Sequence, residues 1–272
     1  MRYFFHIGYK GTAYRGWQKQ VNAKSIQATL EDVLSKFLKQ EIHCIGCGRT
    51  DAGVHASQYF FHVDINFEID QALFFPINRM LPSDITIYDI YKVEDHFHAQ
   101  FDATQRTYNY FIHTDKNPFL NDISSLYSID PDLEIMQEAA NLLLGKKDFR
   151  AFCKTPDRHN HTICNLKAAQ LYADVRGKFV RFEVTADRFL KGMIRIIMHQ
   201  LIEVGTGKLS ITEFHNQLVN QKTPKFLKLA YPQGLYLSEI KYPFLNIEPA
   251  SDFCPLLKTQ DWLTVHYKQD II

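Results

Sequence analysis

The segment that most constrains this chain is a polar turn between two apolar runs. It reads Gly48-Arg49-Thr50-Asp51-Ala52-Gly53-Val54-His55. Residues typical of β-strands flank it on both sides, with Ile42, Cys44 and Ile45 before it and Tyr59, Phe60, Phe61 and Val63 after it. Glycine adopts backbone angles that other residues avoid and lets a second backbone or a ligand come close. We therefore predict a strand, a turn that presents Asp51, and a second strand.

An aspartate in such a turn has two interpretations. Most turn aspartates accept a local hydrogen bond from the following backbone, and on these residues alone that outcome is the commoner one. The alternative is a carboxylate with a chemical role, and the rest of the chain has to decide between the two.

Size and composition fit a globular protein with a substantial core. The chain has 272 residues, of which 46% are hydrophobic and 22% charged, enough for one large domain or two compact ones. No apolar run approaches the roughly 20 residues that span a bilayer. The segment from Met1 to Ile7 is interrupted too early for a signal peptide. We expect a cytoplasmic protein.

The cysteines do not predict a disulfide framework, because the five are scattered and odd in number. Cys44 and Cys47 have the spacing of metal ligands, and a second set of possible ligands is Cys153, His159, His161 and Cys164. A zinc site needs four ligands brought together. There is no second Cys-x-x-Cys, and the first falls in a predicted strand, so we expect reduced, partly buried thiols and no metal.

Charge is unevenly distributed although the net charge is only +1. Residues 1–60 carry a net +4 and residues 161–245 a net +6, whereas residues 61–105 carry −6. If the two basic segments fold together, they form a basic face suited to a phosphate backbone. A mosaic of solvated charges is the alternative.

Periodicity and capping residues predict alternating strands and helices. We expect strands at 2–9, 85–92, 106–113, 163–173 and 178–186, a short helix near 70–80 broken by Pro76, and helices that start at Ser25, at Asp130-Pro131, at Asp187 and, with a capping box, at Ser210-Glu213. The order of elements restarts near residue 105. This indicates a structural duplication with little sequence identity left.

Three stretches combine aromatic and basic residues. Around Trp17, aromatic, basic and amide residues interleave, as suits RNA, although Trp17 equally fits core packing. Arg106, Tyr108 and Tyr110 share one strand face, which suits an unstacked base or, more commonly, cross-strand packing. In the predicted helix from Asp187 to Val204, the basic residues Arg188, Lys191, Arg195 and His199 line one edge of the apolar stripe. Such an edge can supply the partner of a buried carboxylate, whereas Arg188 and Lys191 fit ordinary solvated charge.

Taken in order, these motifs resemble the tRNA pseudouridine synthase A family of pseudouridine synthases. The matching motifs are the octapeptide 48–55, Gly16 to Gln18 with Gln20, Asn78-x-x-Leu81-Pro82-x-Asp84-Ile85, Arg106-x-Tyr108-x-Tyr110, Phe189-x-x-x-Met193-x-Arg195, and Ala230 to Leu237. They span about residues 3–241 and come from both halves. Two positions depart from the family pattern, Lys10 in place of Asp and Gln100 in place of Arg.

The resemblance implies the α+β pseudouridine synthase fold. In it, two pseudo-symmetric RRM-like halves share a mixed, mostly antiparallel sheet with a central cleft. The expected divisions are 1–104 for the N-terminal half with the Asp loop, 105–245 for the C-terminal half and 246–272 for a tail.

The resemblance also implies roles for single residues. Asp51 is the nucleophile or base, Arg195 pairs with it, and Tyr108 stacks on the target uracil. Further substrate contacts are Arg49, Thr50, Leu235, Arg106 and Trp17.

The implied activity is isomerisation of uridine to pseudouridine at positions 38–40 of the tRNA anticodon stem-loop, by a homodimer that needs no cofactor or metal. Two alternatives remain. One is a paralogue that acts on another RNA, which Lys10 and Gln100 keep open. The other is a non-catalytic RNA-binding protein, against which the presence of Asp51, Tyr108 and Arg195 argues.

Overall fold

The computed structural model describes residues 1–70, 73–221, 227–248 and 262–267. In chain order, the strands and helices are β1 (Arg2–Tyr9), α1 (Ile26–Leu38), β2 (Ile45–Gly46), β3 (His55–Asp64), α2 (Phe74–Met80), β4 (Ile85–Val93), β5 (Gln105–His113), β6 (Ser125–Leu126), α3 (Leu133–Asn141), β7 (Gly145–Asp148), β8 (Ile163–Ala173), β9 (Phe179–Ala186), α4 (Met193–Gly205), α5 (Ile211–Asn220), β10 (Leu235–Lys241) and β11 (Leu263–Thr264). None of the helices in these ranges is long and apolar enough to cross a bilayer.

The chain forms two compact units. The first contains Met1–Arg106 and the described residues 236–248, and the second contains Thr107–Leu235 and residues 262–267. The predicted C-terminal half extends to residue 245. The structure groups 236–248 with the first unit, where Tyr236 and Leu237 pair in parallel with His55 and Ala56. Most of the predicted tail, 246–272, lies outside the described residues.

The first unit is built on a sheet of order β10-β3-β1-β4, with β2 paired to β3. Strand β1 runs antiparallel to both of its neighbours. From Tyr3 to Tyr9 every residue of β1 is buried, which explains why this strand is apolar without alternation. Phe5 stacks on Phe61 of β3 with ring centroids 4.8 Å apart, and both are fully buried.

The second unit is built on a sheet of order β11-β8-β9-β5, with β6 paired to β5 and β7 to β8. Helix α3 packs against β8 and against α4. Across both units the pairing is mostly antiparallel, with parallel pairs at β10–β3 and β5–β6. The mixed α+β class with a mostly antiparallel sheet is confirmed.

Two predicted helix starts are confirmed. Both could be predicted because they depend on side chains close in sequence. The Ser25 hydroxyl accepts the backbone N–H of Ala28 at 3.3 Å and caps α1. In α5 the capping box is complete, since Ser210 Oγ accepts from the Glu213 backbone at 3.2 Å and Glu213 accepts from the Ser210 backbone at 2.9 Å.

Two other predictions, a break in one helix and the start of another, were wrong. Pro76 lies inside the first turn of α2 and does not break it, because the N–H that proline lacks has no intrahelical acceptor there. Helix α3 begins at Leu133, since the Asp132 carboxylate caps it by accepting from Ile135 at 3.0 Å.

The predicted helix from Asp187 also starts later than expected. Helix α4 begins at Met193, and Gly192 before it has φ +73°. That angle lies in the left-handed region, which a helix does not pass through. Arg188 and Lys191 therefore belong to a loop, and the predicted basic edge keeps only Arg195 and His199 on the helix.

Candidate active site

The predicted site residues divide between the two units. Those in the first are Trp17, Arg49, Thr50, Asp51 and Arg106, and those in the second are Tyr108, Arg195 and Leu235.

Backbone hydrogen bonds close the turn that carries Asp51. Asp51 is half-buried, and its carbonyl accepts a hydrogen bond from the N–H of Val54 at 3.2 Å. Gly53 has φ +77°, and its N–H donates to the carbonyl of Tyr14 at 3.2 Å. The turn between β2 and β3 is thus anchored to the N-terminal loop of the same unit.

The N-terminal loop approaches this turn too closely for side chains. A Cβ on Gly16 would lie 2.3 Å from the carbonyl oxygen of Thr50, and one on Gly11 would lie 1.9 Å from that of Val54. The N–H of Trp17 donates to the same Thr50 carbonyl at 3.3 Å. Because Gly11 and Gly16 have no side chain, the N-terminal loop packs directly on the backbone of the turn that carries Asp51.

We expect Gly16→Ala to displace the Asp51 turn. The new Cβ collides with a backbone oxygen, and φ at this position is +86°. Overpacking and left-handed strain together should lower the free energy of unfolding by about 2–4 kcal/mol. Thermal unfolding measures the loss, and a fall in kcat should accompany it.

Gly48→Ala is the matched control for stability, because a Cβ there meets nothing within 4 Å. Equal melting temperatures for Gly16→Ala and Gly48→Ala would refute the close approach.

Thr50 and Trp17 lie in the core of the first unit. Thr50 is 8% exposed, and its Oγ1 lies 2.9 Å from the hydroxyl of Tyr9. Trp17 is 3% exposed and stacks on Tyr59 at 4.2 Å between ring centroids. Of the two interpretations of Trp17, core packing describes its position. Arg49, by contrast, is exposed.

Arg106 ties three backbone carbonyls together. Its Nη1 donates to Ala103 at 3.0 Å, and its Nη2 donates to Cys47 at 3.0 Å and to Gln100 at 2.9 Å. Cys47 directly precedes the Asp51 octapeptide, so Arg106 braces the start of that loop. Gln100 contributes its main-chain oxygen, which explains why this bond tolerates a change of side chain there.

Tyr14 and Asp84 also support the loop, and the sequence motifs alone gave them no such role. The hydroxyl of Tyr14 donates to Asp84 Oδ1 at 2.5 Å, while its carbonyl accepts from Gly53. Burial, followed by this carboxylate, raises the pKa of Tyr14, so the phenol stays a donor. Lys10 donates its backbone N–H to the Asp84 carbonyl at 2.9 Å, a bond that does not depend on its side chain.

In the second unit, the two tyrosines of the strand face have different surroundings. Tyr110 is fully buried, and its hydroxyl donates to the Tyr231 carbonyl at 2.7 Å. Tyr108 is half-buried, with the ring of Phe189 edge-on to it at 5.1 Å. Of these two rings, only that of Tyr108 retains the partial exposure that stacking on a base requires.

Arg195 is half-buried on α4 and is held by a reciprocal pair of hydrogen bonds. Its Nε donates to the Ala230 carbonyl at 2.7 Å, and the Ala230 N–H donates to the Arg195 carbonyl at 2.9 Å. The next residue, Tyr231, donates its N–H to the hydroxyl of Tyr127 at 3.2 Å. The Nε bond restrains the orientation of the guanidinium, and the backbone bond holds Ala230 against α4. Since they use main-chain atoms of a distant segment, the sequence gives no signal for them.

Leu235 is 6% exposed and follows the turn Pro232–Gly234. A Cβ on Gly234 would lie 2.5 Å from the Phe111 carbonyl oxygen, so the turn packs directly on β5. This packing sets the position of Leu235 within the second unit.

The described residues contain no group of three or more His, Cys, Asp and Glu side chains that could hold a metal ion. Cys44 and Cys47 are buried, and burial raises the pKa of the Cys47 thiol to about 11.

Comparison with known proteins gives one consistent result. Residues 139–243 match the family model described as tRNA pseudouridine synthase. Proteins named tRNA pseudouridine synthase A from Porphyromonas gingivalis and Bacteroides fragilis are 39% and 40% identical to this chain. The alignments cover 89% of this chain and 97% and 96% of those proteins. The protein of that name from Thermodesulfovibrio yellowstonii is 36% identical over 87% of this chain and 97% of its own length.

Proposed function

The chain belongs to the tRNA pseudouridine synthase family, and we propose that it modifies uridines 38–40 of the tRNA anticodon stem-loop with Asp51 as the catalytic carboxylate. It is an isomerase that converts uridine to pseudouridine in tRNA. The observation that carries the activity is identity of 36–40% over nearly the whole chain to proteins named tRNA pseudouridine synthase A. The choice of positions 38–40 and of Asp51 rests on the resemblance of the sequence motifs.

The reaction breaks the bond between N1 of uracil and C1′ of the ribose and forms one between C5 and C1′. The C5 proton is lost and N1 gains one, so atoms balance and no electrons are exchanged. The Asp51 carboxylate has two routes. It attacks C1′ to give a covalent ester, or it removes the C2′ proton to give a glycal. Both routes require an ionised carboxylate.

We propose that Arg195 keeps that carboxylate ionised. Removal from water favours the protonated form of an acid, and a neighbouring guanidinium opposes this. The bond from Arg195 Nε to Ala230 supports the role, because it restrains the orientation of the guanidinium.

The remaining residues hold the substrate or the loop. A uridine in a stem must leave its stack, at a cost of a few kcal/mol. We propose that Tyr108 stacks on the flipped uracil, that Leu235 excludes water and that Arg49, which is exposed, holds the nucleotide. Thr50 and Arg106 form hydrogen bonds within the first unit, and the Trp17 ring stacks on Tyr59. These contacts favour a role in supporting the Asp51 loop, with any RNA contact secondary.

We also propose that the two units are RRM-like and pseudo-symmetric, and that the enzyme is a cytoplasmic homodimer without a cofactor. The mostly antiparallel sheet and the helices of each unit support the first point. The reaction needs no redox partner or energy source, which supports the absence of a cofactor.

Mapping pseudouridine in unmodified tRNA after incubation with the protein tests the site. We expect conversion at positions 38–40, and none in a matched tRNA with cytidine at those positions. Conversion confined to other uridines would favour the paralogue. Tight binding of tRNA without conversion would favour the non-catalytic binder.

A further inference from the structure

A group of basic side chains lies in the second unit, apart from the residues assigned above. This His-loop cluster consists of Lys154, His159, His161, Arg188 and Lys191. Arg188 Nη1 lies 3.2 Å from His161 Nε2. The pKa of His159 is lowered by burial first and then by the charges of Arg188, His161 and Lys191. The side chains of His159, His161, Arg188 and Lys191 therefore lie close to one another, and Lys154 is joined to them through its backbone.

Two loops bring the cluster together. One precedes β8, and the other is the loop before α4 for which the sequence predicted a helix. The backbone N–H of Lys154 donates to the carbonyl of Lys191 at 3.0 Å and joins them. Lys154, His161 and Lys191 are exposed, whereas Arg188 and His159 are half-buried.

The positive charge of the cluster has little close compensation. One Asp187 carboxylate oxygen accepts backbone N–H groups, from Arg188 at 2.7 Å and from Asn165 at 2.9 Å. Asp157 pairs with Arg150. Within the described part of the chain, no carboxylate forms an ion pair with Lys154, Arg188 or Lys191. Exposed or half-buried cations that form no ion pair attract a polyanion.

The loop before α4 also reaches Tyr108. Phe189, which sits between Arg188 and Lys191 in sequence, is the residue whose ring lies edge-on to Tyr108 at 5.1 Å. A uracil stacked on Tyr108 would bring the backbone of the same RNA strand within reach of this loop.

We propose that the His-loop cluster binds the phosphates of nucleotides that flank the target uridine. The inference rests on the proposed function, because Tyr108 places the RNA. It adds a phosphate-binding surface outside the residues that act on the base and ribose.

The test is the affinity for anticodon stem-loop RNA as a function of salt. The double variant Arg188→Gln/Lys191→Gln is compared with its parent, both carrying Asp51→Asn so that no turnover occurs. We expect about 10-fold weaker binding at low salt and a slope of log K against log salt that is shallower by about 1–2, because each phosphate that is no longer neutralised reduces the slope by about one.

Lys178→Gln/Lys208→Gln is the matched control, since it removes two exposed cations of the same unit that lie near Asp115 and Glu203. It should leave the slope unchanged. An unchanged affinity and slope in the cluster variant, with an unchanged melting temperature, would overturn the inference. The inference would also be overturned if the cluster variant bound whole tRNA more weakly but bound the stem-loop as its parent does. The phosphates that the cluster binds would then lie far from the target uridine. Failure of the proposed function itself shows separately, in the mapping of positions 38–40.

Discussion

Arg195→Met is expected to lower kcat by about 10²-fold or more at neutral pH, the usual cost of removing one preorganised electrostatic partner. It is also expected to move the acid limb of the pH–rate profile to higher pH. A guanidinium favours the ionised form of a neighbouring carboxylate, so without it a higher pH is needed to reach the variant's own maximum rate. Single-turnover rates across a pH series measure both effects.

Arg195→Lys separates charge from orientation. Lysine keeps the positive charge but loses the planar fork and the Nε bond to the Ala230 carbonyl. We expect an intermediate rate with a smaller displacement of the acid limb.

Arg181→Met is the matched control for stability. Arg181 is half-buried in the same unit, its Nε also donates a hydrogen bond, to Asn109 at 2.7 Å, and its guanidinium lies 4.6 Å from the centroid of the Tyr172 ring. Its removal should lower the melting temperature and leave the pH profile in place. A wild-type profile for Arg195→Met would rule out the proposed pairing with Asp51.

Asp51→Asn is expected to reduce pseudouridine formation by at least about 10³-fold. The amide has nearly the size of the carboxylate, but it neither attacks C1′ nor accepts the C2′ proton. The turn should persist, because it is closed by the main chain of Asp51, Gly53 and Tyr14. We therefore expect the affinity for tRNA to stay within a few-fold of that of the wild type.

Asp51→Glu keeps the carboxylate and moves it by one methylene. A displacement of this size at a reacting centre costs about 10²-fold. An activity between those of Asp51→Asn and the wild type would show that position as well as charge matters.

The sequence predicts those parts of the fold that depend on neighbouring residues. The caps at Ser25 and Ser210 and the strands predicted at 163–173 and 178–186 follow from spacing over a few positions. The structure confirms them, with the strands at Ile163–Ala173 and Phe179–Ala186. The turn at Asp51 is equally predictable, since two glycines bound it and strand residues flank it.

Features that depend on distant backbone atoms could not be predicted. Arg188 and Leu190 continue the apolar and basic periodicity of α4, yet the left-handed Gly192 ends that helix before it reaches them. The Arg106 guanidinium binds carbonyls of Cys47 and Gln100, and such partners leave no mark on the pattern of side chains.

For the candidate site, periodicity and motif spacing identify chemical types but not burial. The stretch around Trp17 is equally compatible with RNA stacking and with core packing, and only the contact with Tyr59 decides between them.

The role of Asp51 is tested most sharply by measuring pseudouridine formation and tRNA affinity together, for the wild type and for Asp51→Asn, on the same unmodified tRNA. We predict that the wild type converts positions 38–40 and that the variant binds the tRNA comparably but forms no detectable product. Conversion by Asp51→Asn at the wild-type rate would contradict this role.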